Sequence, residues 1–300
     1  LALDGFDPQF AAAVELDLIL RLVEAGGMAE IGHVDEALLI TEQPILVDDA
    51  QEHAAVIRHL QARGYAEATL ASIAPGRYRV RYGHSEQPLV SIVLLAQGRL
   101  EGMRACLESI LERSSYPHYE LLLGVPEETD AELQAWLRAL ADMGEARLRV
   151  VDAIAGENPA AVRNRLAGLA QGQYLLFLDP GVRITQADWL EGLLEHALRP
   201  EVGAVAPRLD YPSGEVRHAG IVLGLRGGAG GAFIGEPSDA PGYLWRLQVA
   251  QNYSALSSAC LLLARQTFVD VAGFSEEALD EGYRDVDLGL KLGQAGLLNV

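Results

Sequence analysis

The sequence predicts an α/β fold in which helices flank a mainly parallel sheet. From residue 88 onward, short apolar runs alternate with longer segments whose apolar residues recur every three or four positions. The first run, residues 89–95, is almost continuously apolar and rich in β-branched side chains, which is typical of a parallel strand buried on both faces. Strands that alternate with helices of this length form right-handed βαβ units, and such units build a parallel sheet.

The elements follow one another in a regular order along this part of the chain. Strands are predicted at residues 89–95, 120–124, 147–151 and 173–179, and helices at residues 100–112, 131–143, 160–170 and 189–198. Ligands of such sheets bind outside the carboxyl ends of the strands. The order of elements therefore predicts a binding site built from the loops at 95–99, 124–130 and 179–183.

The first 86 residues predict a smaller and more helical part. Its expected elements are a helix, a short strand, a second helix and a loosely alternating strand region, at residues 11–26, 28–31, 46–65 and 66–82. Asp48 or Asp49 is a suitable N-cap for the second helix, and Gly64 ends this helix. We expect residues 46–86 to pack on the domain that follows, because this helix has an apolar face to bury.

An internal repeat connects the two ends of the chain. Residues 17–26 (DLILRLVEAG) align with residues 287–296 (DLGLKLGQAG), with six of the ten positions identical at an offset of 270. Upstream, Gly5-Phe6 matches Gly273-Phe274 at an offset of 268. A repeat of this length has the size of a whole domain rather than of a solenoid unit.

The repeat predicts how the chain is divided. We expect residues 1–45 to be the closing segment of one domain, residues 46–86 to be a helical and extended connector, and residues 87–300 to be most of a second copy, truncated at its carboxyl end. The chain would then be a piece of a tandem multidomain protein.

The composition limits the classes of function. The chain carries 23 basic and 42 acidic residues, a net charge of −19, and it shows no cluster of Lys and Arg. Nucleic-acid surfaces need such clusters, so a nucleic-acid partner is not expected. No stretch reaches the roughly 18 to 20 apolar residues that span a bilayer. A nucleotide ligand stays compatible with this charge, because a local cation or a helix N-terminus can bind phosphate.

Several short segments occur in a recognisable order. They include Tyr-Leu-Leu-Phe-Leu-Asp at 174–179 and Arg-Asp-Val-Asp-Leu at 284–288, and the full set lies at residues 89–93, 106–110, 116–120, 163–165, 174–179, 189–191, 218–220, 273–274 and 284–288. With these segments, residues 88–300 resemble glycosyltransferase family 2. The resemblance implies the GT-A fold and the transfer of a sugar from a nucleotide-sugar donor to a glycan acceptor.

The resemblance also implies roles for particular residues on the donor side. Ala96 stands at the end of the first strand, where the family contacts the base, and Val125 stands where the family has the base-reading Asp. Asp179 keeps the first acid of the family's Asp-x-Asp, which meets the ribose and a divalent metal, Mn²⁺ or Mg²⁺. Arg163 and Asn164 match a further segment and are assigned to the nucleotide site.

This chain departs from the family pattern at three donor positions. Gly181 replaces the second acid of Asp-x-Asp, and it offers no carboxylate to a hard cation. Val125 cannot accept a hydrogen bond from a base, and Leu95-Ala96-Gln97 replaces the family's usual Pro-Thr and Asn or Asp. We therefore expect an eroded donor site in which a metal is weakly held by Asp179.

The acceptor side retains its acidic pair. Asp285 and Asp287 are predicted to lie just before the last helix, with Asp287 in its first turn and Asp285 outside it, facing the cleft. The resemblance makes Asp285 the general base of an inverting transfer. The alternative is that both are helix-terminal acids without a catalytic role.

Two other features have ordinary explanations. His218 follows a turn at 211–214 and is expected to be structural. The glycine-rich residues 227–231 lack the Lys-Ser/Thr of a phosphate-binding loop and are expected to form a mobile surface loop.

Two functions remain open on the sequence. One is a glycosyltransferase domain of polysaccharide or glycoconjugate biosynthesis. The other is a catalytically degenerate copy that acts as a scaffold or binds the acceptor within a multidomain parent. A Rossmann oxidoreductase is excluded, because no Gly-x-Gly-x-x-Gly follows the first strand. The resemblance implies a parent that faces the cytoplasm, peripheral to the inner membrane.

Overall fold

A computed structural model describes residues 5–26, 32, 34, 36, 38–40, 47–277 and 281–300. The short strand expected at 28–31 lies outside these residues. The chain divides into two compact units, Leu1–Ser85 and Glu86–Val300.

The described residues of the smaller unit form two helices and a hairpin. After a 3₁₀ turn at Pro8–Phe10, its elements are α1 (Val14–Gly26), α2 (Ala50–Ala62), β1 (Thr69–Ala74) and β2 (Arg77–Arg81). Asp49 caps α2 by accepting the N–H groups of Gln51 and Glu52 at 2.6 and 3.3 Å. Gly64 follows the helix with a φ of +95°, the left-handed backbone that favours glycine after a helix.

The larger unit contains the α/β fold. Its elements are β3 (Val90–Leu95), α3 (Leu100–Arg113), β4 (Tyr119–Val125), α4 (Ala131–Asp142), β5 (Leu148–Asp152), α5 (Pro159–Leu169), β6 (Tyr174–Leu178), α6 (Trp189–Ala197), β7 (Val202–Ala204), β8 (Leu209–Asp210), β9 (Val216–His218), β10 (Ile221–Leu223), β11 (Ala229–Gly231), β12 (Cys260–Ala264), α7 (Arg265–Asp270), α8 (Glu281–Gln294) and β13 (Leu298–Asn299).

The central sheet has five strands in the order β12-β6-β3-β4-β5. The four predicted strands pair in parallel, and β12 pairs antiparallel with β6. The predicted α/β class with a mainly parallel sheet is therefore confirmed. The carboxyl ends of β3, β4 and β6 meet at one edge of this sheet, as the alternation of strands and helices predicted.

The core lies on both faces of the sheet because the strands are apolar on both sides. Along β3, Ile92 and Leu94 face one cluster and Val93 and Leu95 face the other. Helices α3, α4 and α6 cover the first face, and α5, α7 and α8 cover the second. Phe177, Phe268 and Phe274 pack together on the second face, with ring centroids 4.9 to 5.4 Å apart.

Two expectations about local structure are wrong. The glycine-rich residues 227–231 are not a simple loop, since β11 pairs with β10 and closes a hairpin. Helix α8 begins at Glu281 among the described residues, so Asp285 and Asp287 both lie inside it rather than before and at its start. None of the described helices is long and apolar enough to cross a membrane.

Candidate functional site

Two of the predicted site residues meet at the segment 257–259, which leads into β12. The backbone N–H of Asp179 donates to the carbonyl of Ala259 at 2.9 Å. The Oδ2 of Asp285 accepts the backbone N–H of Ser258 at 3.0 Å. The donor-side acid at the end of β6 and the acceptor-side acid of α8 are therefore hydrogen-bonded to adjacent residues of one segment.

Asp179 sits in a tight turn with its side chain partly open to solvent. Its Oδ1 accepts the N–H of Gly181 at 2.7 Å, and its side chain is 41% exposed. The guanidinium of Arg217 lies 3.9 Å from its Oδ2. Arg183 is fixed beside the same turn, because its Nη1 donates to the carbonyls of Pro180 and Val182. Two positive side chains therefore lie at the turn where the family pattern expects a metal.

The carboxylates at this turn do not form a metal site by themselves. Asp179 supplies one carboxylate, and that group already accepts an N–H and faces Arg217. Within the described ranges, no group of three or more His, Cys, Asp or Glu side chains is placed to hold a metal ion. Since Mg²⁺ and Mn²⁺ prefer several anionic oxygen ligands, these residues do not fit a preformed divalent site.

Asp287 has different surroundings from Asp285. Its Oδ2 lies 2.7 Å from the ammonium nitrogen of Lys291, one turn further along α8. Lys291 also donates to the carbonyl of Gly273 at 3.1 Å. The pair therefore connects α8 with the loop at 273–276, whereas Asp285 contacts the segment 257–259.

Arg163 and Asn164 also contact the loop at 273–276. The amide of Asn164 accepts the N–H of Phe274 at 3.0 Å and donates to the carbonyl of Phe274 and to Glu276, both at 2.9 Å. The guanidinium of Arg163 lies over the ring of Phe274, 5.9 Å from its centroid. These contacts fix α5 against that loop rather than against the segment 257–259.

The side chains of Ala96 and Val125 belong to the apolar core. Each is no more than 3% exposed. The N–H of Ala96 donates to the carbonyl of Gly124, and its carbonyl accepts the hydroxyl of Thr129. The carbonyl of Val125 accepts the N–H of Ala153. The two positions therefore support the sheet edge below the predicted base pocket.

His218 is buried beside the same segment. Its Nε2 accepts the backbone N–H of Ser257 at 3.1 Å, so this nitrogen carries no proton. Burial, with a smaller contribution from Arg217, lowers the pKa of His218 to about 4. Gly220 lets the chain pass close to Tyr253, because a Cβ there would lie 2.3 Å from the ring. The expectation that His218 is structural agrees with these contacts.

Because His218 is neutral in the folded state, we expect the protein to lose stability in mild acid. Its pKa lies below the value of 6.5 that it has when unfolded, so the unfolded chain binds the proton first. The contribution of the neutral His218 to the stability of the folded state is complete above pH 6.5 and is lost as the pH falls toward 4. We expect the free energy of unfolding to decrease by about 2 kcal/mol between pH 7.5 and pH 5 on this account. Urea unfolding should show that His218→Gln removes this decrease, and that His118→Gln, at an exposed position, does not.

Sequence reasoning missed the segment 257–259 and the two arginines beside Asp179. Ser-Ser-Ala before the apolar run at 260–263 is a signal for the start of a strand. Read together with the predicted strand at 173–179, it could have indicated a further strand. No local pattern marks Arg217 or Arg183, because their positions depend on contacts between distant parts of the chain.

The comparisons with known proteins agree with this architecture. Residues 91–238 match the family model "Glycosyl transferase family 2". The chain is 34% identical over 305 residues to the O-antigen biosynthesis protein RfbC of Myxococcus xanthus, and 31% identical over 307 residues to the uncharacterized protein y4gI of Sinorhizobium fredii. The alignments cover 98% and 99% of this chain but only 23% and 34% of those proteins. The chain therefore spans about a quarter to a third of the length of these relatives.

Two solved structures share the fold. One is the mannosyltransferase PcManGT from Pyrobaculum calidifontis in complex with GDP-Man and Mn²⁺, with a TM-score of 0.54, and the other is GalNAc-T7 with UDP, GalNAc and Mn²⁺, with a TM-score of 0.58. Each is 16% identical in sequence to this chain. The alignment with the mannosyltransferase covers 72% of this chain and 55% of that chain, and the alignment with GalNAc-T7 covers 71% of this chain and 42% of that chain. The larger unit of the chain is therefore a GT-A domain that carries a match to glycosyltransferase family 2 over residues 91–238.

Proposed function

We propose that the GT-A domain transfers a sugar from a nucleotide-sugar donor to a glycan acceptor in polysaccharide or glycoconjugate biosynthesis. The observation that carries this proposal is the pair of acids at the segment 257–259. Asp179 follows β6, the second of the five strands in the sheet, and donates its N–H to the carbonyl of Ala259, while Asp285 accepts the N–H of the adjacent residue, Ser258. The family 2 match and the similarity to an O-antigen biosynthesis protein support the same reaction.

The reaction assigns one role to each acid. Asp179 accepts a hydrogen bond from a ribose hydroxyl of the donor and so orients it. Asp285 takes the proton of the acceptor hydroxyl as that oxygen attacks the anomeric carbon. The bond from this carbon to the diphosphate oxygen breaks, and the nucleoside diphosphate leaves with the electron pair. Attack from the opposite side inverts the configuration.

The negative charge of the diphosphate needs positive partners. Arg217 and Arg183 lie beside the Asp179 turn and are placed to supply them, since guanidinium groups bind phosphate oxygens in a bidentate manner. No part of the transfer is assigned to a divalent cation, because the carboxylate of Asp179 already accepts an N–H and faces Arg217, and Gly181 adds no second carboxylate to this turn. We therefore expect donor binding to depend on the arginines more than on metal.

A second function is a copy that has lost donor chemistry and serves as a scaffold or binds the acceptor. Gly181 brings no carboxylate to the Asp179 turn, and the side chain of Val125 lies in the core. Both observations favour this alternative. A nucleotide titration separates the two functions, because a scaffold has no need of the donor.

The test is calorimetric titration of the chain with UDP, GDP and dTDP, each with Mn²⁺ and with EDTA. We expect micromolar binding of one nucleotide that persists in EDTA and weakens at least tenfold in Arg217→Ala, the loss of one charge-assisted pair. Gly181→Asp should make the same binding dependent on Mn²⁺. The matched control is Arg104→Ala, which removes an exposed arginine from α3 that pairs with Glu108. Cooperative unfolding with no binding of any nucleotide would favour the scaffold.

We also propose that the two ends of the chain are copies of one closing element, as expected for a tandem protein. Arg21 donates to the carbonyl of Gly5 at 2.7 Å, and Lys291 donates to the carbonyl of Gly273 at 3.1 Å. The helical partners also correspond, because Asp17 lies 2.8 Å from Arg21 and Asp287 lies 2.7 Å from Lys291. The greater length of the relatives supports a longer parent. A cytoplasmic location at the inner membrane stays a prediction from the resemblance.

A further inference from the structure

In the smaller unit, one face of α1 binds α2. The positions on this face are 17, 20 and 24 of α1, together with residue 13 just before the helix, and they recur every three or four residues. Ala13 packs with Ala55 in a small cluster that Leu20 borders. The fully buried carboxylate of Asp17 pairs with Arg58 of α2. At the end of the face, Glu24 lies 2.8 Å from His59.

Helix α8 repeats this face but exposes it. At the offset of 270, the four positions are occupied by Tyr283, Asp287, Leu290 and Gln294. Asp287 and Leu290 are identical to their counterparts Asp17 and Leu20. Tyr283 is 52% exposed and Leu290 is 41% exposed, and Gln294 is exposed as well. Three of the four positions on this face are thus exposed in the larger unit, and the fourth, Asp287, is 31% exposed.

The remaining face of α8 is used differently from that of α1. Leu288 and Leu292 are 1% exposed and pack into the core beside the sheet. Their counterparts Leu18 and Leu22 are only partly buried. Each helix therefore buries a different one of the two faces that the repeated sequence provides, and α8 leaves the α2-binding face exposed.

We propose that the exposed face of α8 docks an amphipathic helix of the α2 type, supplied by the same polypeptide after the GT-A domain. The charges on this face, and their spacing along α8, indicate which kind of helix would bind there. Asp17 is matched by two arginines, Arg21 and Arg58, whereas Asp287 has the cation of Lys291 one turn away. An arginine at the position of Arg58 would complete the same arrangement. The inference rests on the repeat and not on glycosyl transfer.

The test extends the chain after Val300 with a second copy of residues 31–85. Residue 300 corresponds to residue 30 at the offset of 270, so this junction keeps the register. We expect amide hydrogen exchange in α8 to slow roughly tenfold relative to the 300-residue chain. The variants are Leu290→Asp in both chains, and Arg58→Ala in the added copy alone. Each should abolish the slowing, whereas Met143→Asp, at an exposed position just after α4, should not.

The controls separate docking from general effects. In the 300-residue chain, Leu290→Asp should change the unfolding temperature little, because the side chain is half exposed. Equal exchange of α8 in the two chains, with both folded by circular dichroism, would overturn the proposal. Protection that depends on protein concentration, with a dimer in size-exclusion chromatography, would assign the surface to a second copy of the chain and would also overturn it. Neither readout needs activity, so the proposed function can fail independently.

Discussion

Replacing Asp285 by Asn is expected to slow sugar transfer by two to four orders of magnitude, the range for loss of a general base. The neutral amide cannot take the proton of the attacking hydroxyl. Its oxygen can still accept the N–H of Ser258, which the Oδ2 of Asp285 accepts at 3.0 Å. The variant should therefore fold as the wild type does and lose chemistry selectively.

The measurement uses the nucleotide that calorimetry identifies. Release of that nucleotide from its sugar conjugate is followed with water as the acceptor, since a water molecule also needs a base. The nucleotide affinity should stay within about twofold of wild type, because Asp285 acts on the acceptor and not on the donor. Asp270→Asn, a change of the same charge at an exposed helix position, is the matched control.

Three outcomes distinguish the roles of Asp285. Loss of turnover at unchanged affinity supports the base. Loss of affinity as well would mean that Asp285 positions the segment 257–259 and, through it, the donor acid Asp179. Unchanged turnover would show that the base is another residue, and would leave both acids of α8 without a catalytic role.

The sheet could be predicted from sequence because its strands are buried on both faces. An apolar run such as residues 89–95 is typical of a parallel strand that is buried on both faces of a sheet. The ends of β3, β4, β5 and β6 fall within two residues of the predictions. The position of Asp179 followed from the same argument, since it is the first polar residue after β6.

The surroundings of the site could not be predicted in the same way. Two hydrogen bonds to the segment 257–259 join residues that are far apart in the sequence. Asp285 lies 27 positions from Ser258, and His218 lies 39 positions from Ser257. Such contacts leave no periodic signal in the sequence. The sequence pattern places the start of α8 too late, because Asp-Val-Asp resembles a helix start although the turn from Glu281 to Arg284 is already helical.

Replacing Asp17 by Ala is expected to destabilise the packing of α1 on α2 by about 3 kcal/mol. Asp17 is fully buried, and its two oxygens pair with Arg21 and Arg58. Alanine leaves two guanidinium groups that have lost their carboxylate. The figure lies at the low end for buried pairs, because the Arg58 side chain is 31% exposed and water can reach it.

The repeat supplies a matched comparison for this prediction. The corresponding change, Asp287→Ala, removes a carboxylate whose side chain is 31% exposed and which faces one cation, so we expect a loss of less than about 1 kcal/mol. Amide hydrogen exchange within α1 and α2, and separately within α8, measures each loss in its own unit.

If Asp17→Ala and Asp287→Ala cost the same, the contact with α2 adds nothing to the Asp17 pair, and the argument that a similar helix would stabilise α8 loses its energetic basis. A clear difference, reduced when Arg58→Met is combined with Asp17→Ala, would assign the extra stability to the ion pair between the two helices.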